Sequence, residues 1–441
     1  MNGSVECAKS ELDLFQIPPT QTSIEEGKWD IVNPESGYVK NNSILFKIPS
    51  TDSHYLDLSE TQLFIEVKIT ELKNDDQGYD DGKAVAPVNN LLHSLFDQIK
   101  IKMNEKDVEN SNSYYHYKSY FENLLSYSSE DKRTFLANEG WLDDTPGLFD
   151  GVDIKTDNIN TESSIKSINH GFLKRSQTYR NSKVVELCGK IHSDVFNINK
   201  YILNSVNVSI ELFKNDRKIF LIGKDADKFN IKIESAHLKV RRVTISPSIM
   251  LGHAMALEKT RAKYPIKRVV VHGYPYEFAS TKFEKSLHVG VMPSRVLLGL
   301  IKTETVTGDI LKNPFNFEHF DVKSIMLKAA SASLPYSSEL NFEYAKNRYL
   351  EAYNTLFTNI KETSCNLSYD DYAKGNTIYA FDLTPDLCNS GHYNVMKNGS
   401  LNLQIKLEKP VNGSITIITY MEFDNIIEID NKRNIFLDYS L

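Results

Sequence analysis

Alternation of apolar and polar residues with a period of two runs through most of the chain and restricts it to β-structure. Across residues 62–70 one face carries Leu63, Ile65, Val67 and Ile69, and the other Gln62, Phe64, Glu66, Lys68 and Thr70. Residues 205–212 and 401–407 repeat the pattern with Val206, Val208, Ile210 and Leu212, and with Leu401, Leu403, Ile405 and Leu407. A strand with one face in a core and the other in water produces it. Similar runs bring the total to about seventeen candidate strands, close to two sets of the eight that make a jelly roll. Helical spacing is confined to residues 114–125, 248–257 and 347–357. No βα alternation is present, which argues against a doubly wound α/β enzyme. The expected fold class is all-β: two consecutive eight-stranded jelly-roll sandwiches with long loops and a few short helices.

Residues 229–245 change phase. Ile231 and Ile233 share one parity, and Ala236, Leu238 and Val240 the other, so a bulge or change of sheet is expected near Glu234 and Ser235. The polar run 224–228 just before it marks the expected boundary. The division is then an extended arm over 1–29, a first sandwich over 30–228 and a second over 229–441. Residues 128–183 read as one long surface loop, packed in part on its own Trp141, Leu148, Phe149 and Phe172. In the arm, Pro18 and Pro19 block a helix. Leu12, Leu14, Phe15 and Ile17 are too apolar for a free tail, so the arm is expected to dock on an inner surface of its own or a neighbouring molecule.

Little in the chain points to catalysis. The net charge is -7, whereas a protein that coats nucleic acid is normally basic. The basic clusters at 239–242, 267–268 and 432–433 read as solvated sheet faces. No apolar run approaches the roughly 18 residues of a membrane span, and the N-terminus has no apolar signal core. Phosphate-loop, dinucleotide, zincin and nucleophile-elbow motifs are absent. His93, in an apolar run, reads as a buried structural histidine, and His192 with Asp194 as surface hydrogen bonding. Cys188 with His192 and Cys388 with His392 share the spacing C-x3-H and could together form a zinc site, but unrelated thiols are the simpler reading. Residues 75–82 are acidic without the calcium-loop register. No enzyme, cofactor or metal is expected.

Several strings, in order along the chain, carry a family resemblance. They are Leu12-Asp13-Leu14-Phe15 with Pro18-Pro19-Thr20-Gln21-Thr22, and Tyr55-Leu56-Asp57-Leu58-Ser59. Next come residues 87–96, with Pro87, Asn89, Asn90, His93 and Phe96, and the run from Trp141 to Thr145. The second half adds Tyr264-Pro265, Asn313-Pro314-Phe315, and residues 381–386 with Asp382, Pro385 and Asp386. With these the chain resembles the double jelly-roll major capsid proteins of Polinton (Maverick) transposable elements and adintovirus-like viruses. One departure stands at Asn104-Glu105, where that family has Asn-Gly; Glu resists positive φ, so a tight type I′ turn is not expected there. The resemblance implies a hexon-like homotrimeric capsomer tiling an icosahedral shell around double-stranded DNA. It also implies neighbouring capsomers and a minor capsid or penton protein as partners, only weak DNA contact, and a place in the virion capsid after synthesis in the host cytoplasm. Two rival readings remain: a domesticated host protein that keeps the fold without making particles, and a monomeric carbohydrate-binding or carbohydrate-active sandwich.

Overall fold

The computed structural model describes residues 9–15, 17–35, 42–73, 83–111, 113–152, 168–276, 280–329, 332–360, 364–387 and 392–439. Among the described residues, sixteen strands build two sandwiches. The first eight are β1 (Ile24–Val32), β2 (Ser43–Ile48), β3 (His54–Glu71), β4 (Phe96–Met103), β5 (Lys106–Asn110), β6 (Val185–Lys190), β7 (Val208–Lys214) and β8 (Phe229–Ile245). The second eight are β9 (Ala262–Tyr276), β10 (Lys282–Val291), β11 (Arg295–Lys302), β12 (Val322–Ala329), β13 (Ala332–Ser333), β14 (Ile378–Asp382), β15 (Asn398–Leu407) and β16 (Ile415–Ile429). In the first sandwich one sheet runs β1-β8-β3-β6 and the other β2-β7-β4-β5. In the second they run β9-β16-β11-β14 and β10-β15-β12-β13, the same order repeated eight strands later. The chain is a double jelly roll. Short strands at Leu340–Asn341 and Ile435–Leu437 extend the second sandwich.

The central pair of the first sandwich shows why the alternation fixes the register. Leu63, Ile65 and Ile69 of β3 face Leu238, Ala236 and Ile231 of β8, and all six are buried. The ladder slips between Ile233 and Ser235, where the sequence changes phase. The extra residue lets each half of β8 keep its apolar side inward.

Two boundaries differ from expectation. β8 pairs with β1 and β3, so residues 229–245 belong to the first sandwich, and the chain crosses to the second between Ile245 and Ala262. The polar run before β8 is a turn inside the sandwich. Residues 24–29 are not arm either: Trp29 pairs with Arg241 and Lys28 with Arg242, within an edge strand. Just ahead of the polar run, Arg217–Phe220 form a helical turn capped by Asp216, and Leu221–Ile222 make a two-residue ladder with Ala86–Pro87.

Helix α1 (Tyr115–Ser126) is buried on nearly every side, because it lies between the sandwiches. Tyr120 stacks on Phe315 with ring centroids 4.1 Å apart, and Phe121 packs on Phe317 and Tyr420. Gly299 of β11 leaves the space that Phe317 and Phe121 fill. Apolar side chains of both halves therefore form one continuous core. Helix α2 (His170–Thr178) belongs to the long 128–183 connection, α3 (Pro247–Leu257) joins the sandwiches, and α4 (Leu350–Ile360) packs on β14.

Candidate functional site

The polar groups buried between the two sandwiches mark the most elaborate site. Lys118 on α1 donates to Glu109 Oε1 at 3.1 Å and to Asp194 Oδ1 at 2.6 Å. Asp194 Oδ2 accepts the backbone N–H of Val269, on β9 of the other sandwich, at 3.0 Å. Burial works against the Lys118 ammonium, but Asp194, Glu109 and Glu122 outweigh it and hold its pKa above the ordinary lysine value. Burial first, and then Glu109, push the Asp194 carboxyl upward. Two carboxylates thus share one buried ammonium.

Beside this triad lies a second cluster. His93 Nε2 is 3.3 Å from Glu139 Oε2, and its Nδ1 is 3.0 Å from the Tyr115 hydroxyl. His192 Nδ1 is 2.5 Å from Glu122 Oε2, and the His192 ring meets the His93 ring edge-on at 4.5 Å. Tyr420 of β16 donates to Glu122 at 3.1 Å. Burial opposes ionisation of Glu122 and Glu139, yet bonding to His192 and to His93 respectively holds both below the usual carboxylate range. A cleft of about 590 Å³ opens onto this cluster. It is lined by Glu122, Glu139, Cys188 and His192 from one sandwich and by Lys267, Arg295, Tyr420 and Glu422 from the other.

Several expected site residues hold this seam together. Pro87 O and Leu142 O accept from Arg175, which also pairs with Asp144 at 2.5 Å. Asn89 Oδ1 accepts the N–H of Asn90 and of Leu142, and Asn90 sits at φ 57°. Asn313 Nδ2 donates to Asp144 Oδ2 at 2.8 Å across the seam, and Phe315 is the stacking partner of Tyr120. Trp141 donates to Asp143 and stacks on Tyr120, with ring centroids 5.3 Å apart. Tyr264 of β9 donates to Tyr201 O and accepts from Leu203 N–H. Phe96 and Pro314 are buried. Asp382 caps Thr384. Pro265, Pro385 and Asp386 are exposed, and Asp386 meets His392 at 2.6 Å.

Other expectations change. Ser193 and Asp194 are buried at the seam rather than on the surface. His192 finds its partners in Glu122 and His93, and His392 in Asp386. Cys388 and the acidic stretch 75–82 lie outside the described residues. The 128–183 segment buries Trp141, Phe149 and Phe172, while Leu148 is half-buried. The basic clusters are held by the protein's own groups. Lys239 and Arg241 lie over Trp29, Arg242 pairs with Asp30, Arg268 lies over Phe423, and Arg433 donates to Asn204. Sequence reasoning missed Glu109, Lys118, Glu122 and Glu139. The one available signal was charge within the apolar stretch 114–125, where Lys118 and Glu122 sit one helical turn apart.

Two exposed features have no such role. In the arm, Phe15 is 95% and Ile17 86% exposed, and Leu12 and Leu14 are exposed as well; residues Ser10–Leu12 form a single 3-10 turn. On α3, Leu251 is 63% and Met255 60% exposed, in a helix with no fully buried residue.

No protein-family model matches the chain. An uncharacterized protein of Caenorhabditis elegans is 27% identical over 443 residues, covering 96% of this chain and 99% of that one. Among solved structures, the Sputnik virophage superposes with a TM-score of 0.66 at 12% identity, covering 99% of this chain and 93% of that one. The mavirus major capsid protein gives 0.55 at 10% identity over 99% and 96%. The Faustovirus major capsid protein gives 0.53 at 8% over 95% and 92%. These likenesses establish the fold.

Proposed function

We propose that the chain is a major capsid protein of the Polinton and adintovirus kind, acting by shape and association rather than by catalysis. The observation that carries this reading is the repeated strand order. Two jelly rolls in one chain give six sandwiches in a trimer, the pseudo-sixfold outline that tiles a closed shell. The arrangement matches that of the mavirus and Faustovirus major capsid proteins over nearly the whole chain. The exposed apolar side chains of α3 and of the arm offer surfaces for copies of the same chain. The internal engagement of the basic clusters favours weak contact with packaged double-stranded DNA. A penton protein at the vertices completes the partner set.

Native mass spectrometry at micromolar concentration is expected to give a trimer, since obligate interfaces often bury more than about 2,000 Å². Negative-stain images are expected to show hexagonal particles and shells. Monomer alone would overturn the reading. The animal relative favours a second reading, a host-borne copy that keeps the capsomer without making particles. Stable trimers that never close into shells, in conditions where a virion-derived homologue does, select it.

A further inference from the structure

We propose that His93, Glu139 and His192 bind one divalent transition-metal ion, zinc by ligand chemistry, with a water from the seam cleft completing the shell. This goes beyond the capsid reading and departs from the expectation of no bound metal.

Three separate segments deliver the donors. His93 comes from the turn Leu91–Ser94, Glu139 from the turn Phe135–Glu139, and His192 from just beyond β6. One ligand atom from each lies within 4.8 Å of the other two. Tetrahedral zinc with bonds near 2.0–2.1 Å sets its donors about 3.4 Å apart. The His93 and Glu139 atoms are already at 3.3 Å. Two imidazoles and a carboxylate are a donor set that zinc accepts, and they leave a fourth position open.

The surroundings fit as well. His192 Nδ1 is engaged by Glu122, which leaves Nε2 as the nitrogen it can offer. A carboxylate holding the far side of a ligating imidazole is the usual outer support of such sites. His93 Nδ1 is likewise engaged by Tyr115, which leaves Nε2 facing Glu139. Asn123 Nδ2 orients Glu139 at 2.9 Å. Gly189 makes room for the carboxylate, because a Cβ there would overlap Glu139 Oε1. The ion would tie three segments of the first sandwich together at the seam, with Tyr420 of the second holding Glu122.

The test uses the full chain without a polyhistidine tag, stripped with EDTA and titrated with zinc chloride or cobalt chloride. The expected result is one ion per chain, a visible cobalt spectrum of four-coordinate type, and a melting temperature that rises with zinc. His192→Ala, on the solvent side of the cluster, should weaken binding by at least about 100-fold, and Glu122→Gln by about 10–100-fold. His392→Ala should bind as the parent does. Circular dichroism confirms that each variant is folded, and His192→Ala decides the matter if Glu139→Gln does not fold. Failure to bind either metal below about 100 μM overturns the proposal, as does undiminished binding by His192→Ala. Trimer and shell formation are read separately, so loss of the metal site leaves the capsid reading standing.

Discussion

His116 is a neutral residue by placement. Burial alone pushes it down to about 3, and its Nδ1 lies 3.3 Å from Asn215 Nδ2 while its ring packs on Tyr117. In the unfolded chain the ordinary value is about 6.5. Between those values the unfolded state holds a proton that the folded state refuses. The stabilising contribution is complete above about pH 6.5 and is lost as pH falls. His116→Gln removes this penalty. Urea unfolding should show the variant gaining on the parent by about 1.4 kcal/mol per pH unit from pH 6 to pH 4; a constant difference would show that His116 titrates normally. Glu105 is the opposite case, a residue in a conformation it disfavours. Asn104 at φ 44° and Glu105 at φ 64° close the two-residue turn between Met103 and Lys106, in the left-handed form that the sequence argued against. Tertiary bonds override the local preference. Asn104 N–H donates to Asn207 O, its side chain accepts from Asn207 N–H, and its Nδ2 donates to Arg433 O in the second sandwich. Glu105→Gly relieves the Cβ strain and should raise unfolding free energy by up to about 1 kcal/mol in denaturant titration.

At the scale of elements, helix α1 is the joint of the molecule, and Lys118 is its polar pin. Lys118→Met leaves Glu109 and Asp194 facing each other without a counter-charge, and should cost about 3–5 kcal/mol. Adding Asp194→Asn removes one of the stranded charges and should recover part of the loss. Equal stability of the single and double variants in urea would mean that the three groups do not act together. Apart from β1, an edge strand with no buried residue, most strands were readable from the sequence, because they bury one face and the period of two survives. The bulge near Ser235 was readable for the same reason. The partners of a strand were not. β8 looks the same in sequence whether it opens the second sandwich or closes the first, and only pairing with β1 and β3 decides it. The seam was hidden too. Glu109, Glu122, Glu139, His93 and His192 are scattered along the first half, and nothing in their spacing shows that they converge. Helix α1 read as amphipathic through Tyr117, Tyr120, Phe121, Leu124 and Leu125, and its polar face was buried as well only because a second domain covers it.

For the whole molecule, the capsid reading proposed above makes the arm a segment to test for a part in assembly. Fully burying Leu12, Leu14, Phe15 and Ile17 could contribute roughly 1.5–3 kcal/mol each. Ordering the backbone costs about 1–2 kcal/mol per residue fixed. Across residues 12–17 alone the two nearly cancel, and in the single chain these four side chains lie exposed. Under the capsid reading proposed above, such a segment would order only when another surface adds contacts, as a neighbouring capsomer would. The cut must respect the edge strand. Gln21 Oε1 accepts from the N–H groups of Ser23 and Ile24, and so fixes the start of β1. Deletion should therefore stop at residue 20. The truncated chain is expected to melt at nearly the temperature of the full chain and to remain trimeric by native mass spectrometry, while forming no shells in negative stain. A large drop in melting temperature would place the arm in the fold. Normal shells would deny it a part in assembly. The intended outcome, folded trimers that cannot close, would place the contact between capsomers in Leu12 to Ile17.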